Sequence, residues 1–140
     1  MAEHKTSHVV VFVFKKRDRF LAERRDFNSS FADQLLFPGG KVEDGEIGNI
    51  EKAMRREVLE ELGVIPTRFH PIPTTETIYG WTGAIINPFL ITSWQGHIPK
   101  TVLDKGNPLL WVPIDTMLSS QHRFVSETAR ALNDYLTENR

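Results

Sequence analysis

Three glutamates, Glu57, Glu60 and Glu61, crowd one short stretch of the chain. Spacings of three and four residues bring side chains together on one side of a helix. The residues around them have helical periodicity from about Ile50 to Leu62. Counting roughly 100° per residue from Ile50, Met54, Val58 and Leu62 fall near ~40°, ~80° and ~120°, and Ala53 near ~300°, which makes one apolar stripe. On the same construction Glu57 falls near ~340°, Glu61 near ~20° and Glu60 near ~280°. Two of the acids therefore lie inside the stripe. An ordinary solvated face would put them opposite it, where Lys52 and Arg55 fall. Half-buried carboxylates repel one another and are pushed toward the protonated form unless a cation neutralises them. Arg56 offers one pairing, but it is outnumbered. The expected further partner is a hard, oxygen-seeking ion, Mg²⁺ or Mn²⁺, because zinc would want the histidine or cysteine that this cluster lacks. Such an ion with open positions handles phosphate.

The helix needs a scaffold to aim it. "HVVVFVF" (His8 to Phe14) is β-branched and aromatic, and "DRFLAERR" follows the polar turn "KKRD", so the chain is expected to open with a hairpin. "FNSSFADQ" reads as loop, "LLF" as a short strand, and "PGG" as a turn with unusual dihedrals. Asn49 is the expected cap of the central helix. "TETIYGW", "AIINPFLITSW" and "LLWVPID" read as further strands, and "VSETARALNDYLTEN" has helical spacing at Val125, Ala129, Leu132 and Leu136. Strands around one central helix, with a second helix at the end, predict an α+β fold, a mixed α/β/α sandwich.

With 140 residues, 40% of them hydrophobic, the chain suits one well-buried core, so residues 1–140 are expected to form a single domain. A net charge of -1 gives no broad basic field, so no nucleic-acid polymer is expected as partner. The apolar run near the start is too brief for a membrane span or a signal-peptide core, and no membrane partner and a cytoplasmic location are expected. Cysteine is absent, which removes disulfides and thiolate ligands. His4, His8, His70 and His97 have no spacing that would make a metal site.

The motif resembles the Nudix hydrolase family, in layout its MutT-like nucleoside triphosphate pyrophosphohydrolases. The family's box is glycine, five residues, glutamate, seven residues, then Arg-Glu-apolar-x-Glu-Glu-x-Gly-apolar. Here Gly40 is followed after five residues by Glu46, and "REVLEELGV" (Arg56 to Val64) matches the second half in full. "FLAERR" ahead of "FPGGK" is similar to the family's second strand and following loop. One departure stands out: nine residues, not seven, separate Glu46 from Arg56, because Ile47 and Gly48 are inserted before Asn49. The resemblance implies that Glu46 pairs with Arg56 and buttresses the helix, and the longer loop raises the question of whether it still can.

The resemblance also implies roles. Glu57, Glu60 and Glu61 correspond to the magnesium-ligating glutamates, Glu57 also to the position implicated in activating water. Gly39 corresponds to a glycine whose carbonyl joins the metal shell, next to the box glycine Gly40, and Asp104 lies in a late loop where relatives often carry another acid. Arg25 corresponds to an arginine that meets substrate phosphate. Relatives that cleanse oxidised guanine nucleotides read the purine with a late asparagine, where a rough alignment puts His122. Tyr79 is about where dinucleoside-polyphosphate hydrolases carry a tyrosine. Among the tryptophans, Trp94 and Trp111 suit the core, and Trp81, after Gly80, suits stacking on a base. The expected activity is Mg²⁺-dependent hydrolysis of a nucleoside diphosphate linked to X, foremost a nucleoside triphosphate cut to monophosphate and pyrophosphate, by a monomer or homodimer acting on a small nucleotide. ADP-ribose, an NDP-sugar or a dinucleoside polyphosphate is the alternative substrate. A non-catalytic nucleotide sensor is the alternative of another class.

Overall fold

The computed structural model describes residues 6–139; His4 lies outside them. Strand β1 (His8–Lys16) is apolar at successive positions because both of its faces are covered. Val10, Phe12 and Phe14 enter one core and Val11 and Val13 the other. Burying an aromatic or aliphatic side chain of this kind stabilises the fold by about 1.5–3 kcal/mol. β1 turns at Arg17, which takes the left-handed φ of 58°, into β2 (Arg19–Arg24). β3 (Leu35–Leu36) and β4 (Gly39–Lys41) follow, then α1 (Ile50–Leu62). Next come β5 (Ile65–Pro71), β6 (Ile85–Gln95), β7 (Leu109–Pro113), α2 (Ile114–Leu118) and α3 (Arg123–Glu138).

The sheet order is β3-β2-β1-β6-β5, with β4 beside β1 and β7 beside β2. β1 and β6 run parallel from His8↔Ile85 to Phe14↔Ile91. β1 meets β2 only at its far end, at Lys15↔Phe20 and Lys16↔Arg19, so the sheet splays. The opening lets β4 pair with the first half of β1. α1 covers one face through Ala53, Met54, Val58 and Leu62, and α3 covers the other through Val125, Ala129 and Leu132. The result is the expected mixed sandwich.

Several local expectations are corrected. "TETIYGW" is not a strand; it makes only an isolated bridge, Tyr79↔Ile85. The strand in that part of the chain is β5, whose Pro66 and Pro71 obscured it in the sequence and whose pairing with β6 is irregular between Pro66 and Phe69. "LLWVPID" stops being strand at Pro113, and Ile114 and Asp115 begin α2. "PGG" is not a turn: Gly39 and Gly40 are extended within β4, and neither has positive φ. Glycine is required there for close approach. A Cβ on Gly39 would overlap the Val10 carbonyl, and one on Gly40 would overlap the Glu57 carboxylate. Among the described residues no helix is long and apolar enough to cross a membrane.

Candidate active site

α1 is fixed at both ends. The Asn49 side chain accepts from the Lys52 amide at 3.2 Å, and Gly63 closes the helix in the left-handed conformation at φ 68°. Between these caps Glu57 and Glu61 are 8% and 4% exposed, inside the apolar stripe, whereas Glu60 points to solvent. That division matches the helical angles of the sequence.

Arg56 organises the upstream acids. Its Nε donates to Glu46 Oε2 and its Nη2 to Glu46 Oε1, each at 2.8 Å, a two-pronged pairing that suits a planar guanidinium. Nη1 donates to Glu57 Oε1 at 2.9 Å and to Glu60 Oε2 at 3.2 Å, and Nη2 also reaches the Lys41 carbonyl at 3.0 Å. These hydrogen bonds, with another from the Glu43 amide, hold the Glu46 carboxyl down at a pKa of about 2 despite its burial. The same partners raise the pKa of Arg56. The two inserted residues therefore leave the Glu46 geometry intact. A 3₁₀ turn at Asp44–Glu46 aims the carboxylate inward, Ile47 is 46% exposed, and Gly48 faces open space.

Glu57 and Glu61 are treated differently. Burial raises the pKa of Glu57, and the hydrogen bond and charge of Arg56 oppose the rise. Glu61 lies beyond Arg56's reach and is met by Lys105, whose Nζ is 3.5 Å from Oε1. Its pKa is raised to about 7, chiefly by burial, with Lys105 opposing and the neighbouring Asp104 carboxyl adding to the rise. Glu61 Oε2 is buried with no hydrogen-bond partner. Among the described residues no three acidic or imidazole side chains are gathered as one ready-made cation cluster. Glu57 and Glu60 are drawn to Arg56 and Glu61 to Lys105. The donor set nevertheless fits a divalent oxygen-seeking cation: an orphaned buried carboxylate oxygen beside a second carboxyl group is the arrangement such an ion relieves.

A pocket of about 230 Å³ adjoins these acids. Gly39 and Gly40 border it beside Glu57, and Arg25, Lys41 and Lys105 supply positive charge. Arg25 is held by Glu23 Oε2, 3.1 Å from its Nε, and Glu23 is itself only 2% exposed. Apolar side chains including Val11, Leu36 and Ile86 form the rest of the wall, with Trp81 and Phe124. Trp81 is 53% exposed yet braced edge-on by Phe27, His122 and Phe124, at centroid distances of 5.2, 5.3 and 5.0 Å. His122 does not line the pocket. Its Nε2 lies 2.6 Å from the Asp33 carbonyl and its ring packs edge-on against Trp81. Tyr79 is exposed and also off the pocket wall, while Trp94 and Trp111 stack at 6.2 Å against the core under α1.

The NUDIX domain family model matches residues 4–134. The chain belongs to the NUDIX domain family. An 8-oxo-dGTP diphosphatase of Proteus vulgaris is 30% identical over 102 residues, 71% of this chain and 88% of that protein. A probable nudix hydrolase of Schizosaccharomyces pombe, C6G9.05, is 30% identical over 107 residues, and the match spans 76% of this chain but only 37% of the relative. A solved MutT structure, described for the Aliivibrio salmonicida and Vibrio cholerae proteins, superposes with TM-score 0.67 at 23% identity, covering 93% of this chain and 99% of that one. The chain is thus a MutT-like Nudix pyrophosphohydrolase, an enzyme class that acts on small nucleotides.

The sequence did not mark several residues at or behind this pocket. Lys105, Glu23, Asn107 and Phe124 come from β2, the β6–β7 connection and α3, far apart in the chain. Only "ERR" carried a signal, since Glu23 near the end of β2 stands two residues before Arg25, which follows the strand and pairs with it. A larger groove, about 320 Å³, lies between residues 73–78 and α3, with both signs of charge along it. It shares no lining residue with the Nudix pocket.

Proposed function

We propose that the enzyme hydrolyses nucleoside triphosphates to monophosphate and pyrophosphate with Mg²⁺, accepting several bases. The observation that carries this is the juxtaposition of a buried, partly unsatisfied Glu61 with a pocket lined by Arg25, Lys41 and Lys105 together with Trp81 and Phe124. Glu57, Glu60, Glu61, the Gly39 carbonyl and Asp104 would hold the ion. Bound there, Mg²⁺ supplies neutralisation of phosphate charge and makes the attacking water easier to deprotonate. Arg25, braced by Glu23, grips the polyphosphate. Arg56 ties up Glu57 Oε1 at 2.9 Å, which leaves Oε2, packed over Gly40, as the atom to receive the water's proton. Trp81 stacks on the base.

Selectivity follows from what faces the base. Among the described residues lining the pocket, Thr82 is the one neutral hydroxyl or amide side chain, and no acid reaches in. Stacking accepts every base, and one hydrogen bond discriminates by only about 0.5–1.5 kcal/mol, roughly tenfold at most. The 8-oxo-dGTP relative supports a triphosphate in the pocket over ADP-ribose. The test is formation of mononucleotide products, separated by ion-exchange chromatography, from a panel of NTPs and dNTPs, 8-oxo-dGTP, ADP-ribose and a dinucleoside polyphosphate, with and without Mg²⁺. Mg²⁺-dependent cleavage of several triphosphates within about tenfold of one another is expected, with near-complete loss in a folded Glu61→Gln variant. Highest kcat/KM for ADP-ribose or the dinucleotide, or an active Glu61→Gln, would sink the reading.

A further inference from the structure

We propose that Lys105, paired with Glu61, is also a phosphate ligand that would yield that carboxylate to a divalent cation and turn to the substrate polyphosphate. The proposal rests on the function above and assigns a further substrate-binding residue to the same site. Lys105 faces two ways. Its Nζ is 3.5 Å from Glu61 Oε1, and its side chain lines the pocket that Arg25 and Lys41 also line. The side chain is 40% exposed where that of Glu61 is 5%, so it bridges the buried carboxylate and open solvent.

Its backbone, by contrast, is pinned. The Leu103 amide donates to the Glu61 carbonyl at 2.9 Å, and the Gly106 amide to the Val102 carbonyl at 2.7 Å. The Val102 amide donates to the Asn107 carbonyl at 2.9 Å. Asn107 Nδ2 then donates to Glu23 Oε2 at 2.9 Å, the same oxygen that accepts from Arg25 Nε. The turn carrying Lys105 is therefore tied both to the carboxylate helix and to the phosphate arginine. What can move is the flexible four-carbon stem, which carries three rotatable donors. Lys105 at its present distance from Glu61 would repel a divalent ion seated there. Once Lys105 leaves, the anion available to it in its own pocket is the substrate phosphate beside Arg25.

Such an exchange couples the two ligands. Lys105 opposes the metal alone and favours the metal with nucleotide, so each should bind weakly by itself and more tightly with the other. Mn²⁺ binding to the full chain can be followed by electron paramagnetic resonance. Binding of a non-hydrolysable triphosphate analogue with Mn²⁺ present can be followed by calorimetry. Lys105→Met should bind Mn²⁺ alone about threefold tighter, the size of a part-exposed ion pair, and the analogue roughly tenfold more weakly. Lys105→Arg should restore the analogue's affinity, and Lys105→Gln gives the same comparison as Met with a polar side chain. Met and Gln variants that bind Mn²⁺ no tighter, or the analogue no more weakly, than wild type overturn the proposal. Wild-type protein that binds no Mn²⁺ at all sinks the metal reading, and this proposal falls with it.

Discussion

Arg56 and Lys105 divide between them the pairing of the carboxylates on and around α1, of which Glu46, Glu57 and Glu61 are buried. Arg56 is planar and multiply held, so Glu46, Glu57 and Glu60 share one rigid donor. Lys105 offers Glu61 a single, longer contact, and the difference in partner is visible in the proton affinities. Glu46 sits at about 2 and Glu61 at about 7, against an ordinary value of 4.5 for both. The two shifts act on stability in opposite senses. Glu46, depressed in the fold, contributes stability that is present above pH 4.5 and is lost as pH falls toward about 2. Glu61, raised in the fold, contributes stability below pH 4.5 that is lost as pH rises through about 7 in metal-free protein. Comparing wild type with Glu46→Gln cancels the Glu61 contribution. Thermal melts without metal should give a Tm gap that is widest above about pH 5 and shrinks steadily toward pH 2. A gap that stays constant across that range would show that Glu46 does not work through its charge.

Helix α1 could be read from the sequence to its end residues because local signals agree there: an Asn49 cap, a 3.6-residue apolar repeat and Gly63 as stop. β1 was equally clear, since β-branched residues on a doubly covered strand leave little else to form. β5 was not, because its two prolines argue against a strand until the partner, β6, is known. The site divides the same way. Residues inside the box share one helix and its entry loop, so their spacing carries the geometry. Lys105 and Phe124 reach the pocket, and Asn107 reaches Glu23, only through tertiary packing, and no local pattern marks them. The insertion tests how independent the entry loop is of the helix it feeds. Ile47 and Gly48 bulge outward, and the Asn49 amide still closes on the Glu46 carbonyl at 2.8 Å. Deleting both residues should leave kcat within a few-fold and change stability by about 1 kcal/mol or less, read by chemical denaturation. A folded deletion variant without turnover would mean that the loop carries chemistry of its own.

The pocket draws on the whole layered arrangement. Arg25 directly follows β2, Gly39 and Gly40 fill the splay beside β1, Lys105 lies in the connection between β6 and β7, and Phe124 comes from α3. The proposed stacking platform depends on this convergence, since Trp81 lies in the β5–β6 connection and is held by rings from the β2–β3 loop and from the start of α3. A half-exposed indole would otherwise be free to turn. Its bracing groups, Phe27, His122 and Phe124, are themselves fixed, His122 through the Asp33 carbonyl and Asp33 through the Gln121 amide at 2.7 Å. The proposed platform would therefore be prepared before substrate arrives, and its loss should weaken binding without altering the carboxylate chemistry. Trp81→Ala should raise KM for every triphosphate by a similar factor, about tenfold to a hundredfold for the ~1–3 kcal/mol of one base stacked on an aromatic ring. kcat should change far less, because the hydrogen bonds and ion pairs of Glu57, Glu61 and Arg56 are made with Glu46, Glu60, Lys41 and Lys105, outside this cluster. Steady-state kinetics on four nucleotides separates the possibilities. A KM rise confined to one base would mean that Trp81 reads base identity, and a fall in kcat with KM unchanged would place the indole in the reacting centre, either of which defeats the platform reading.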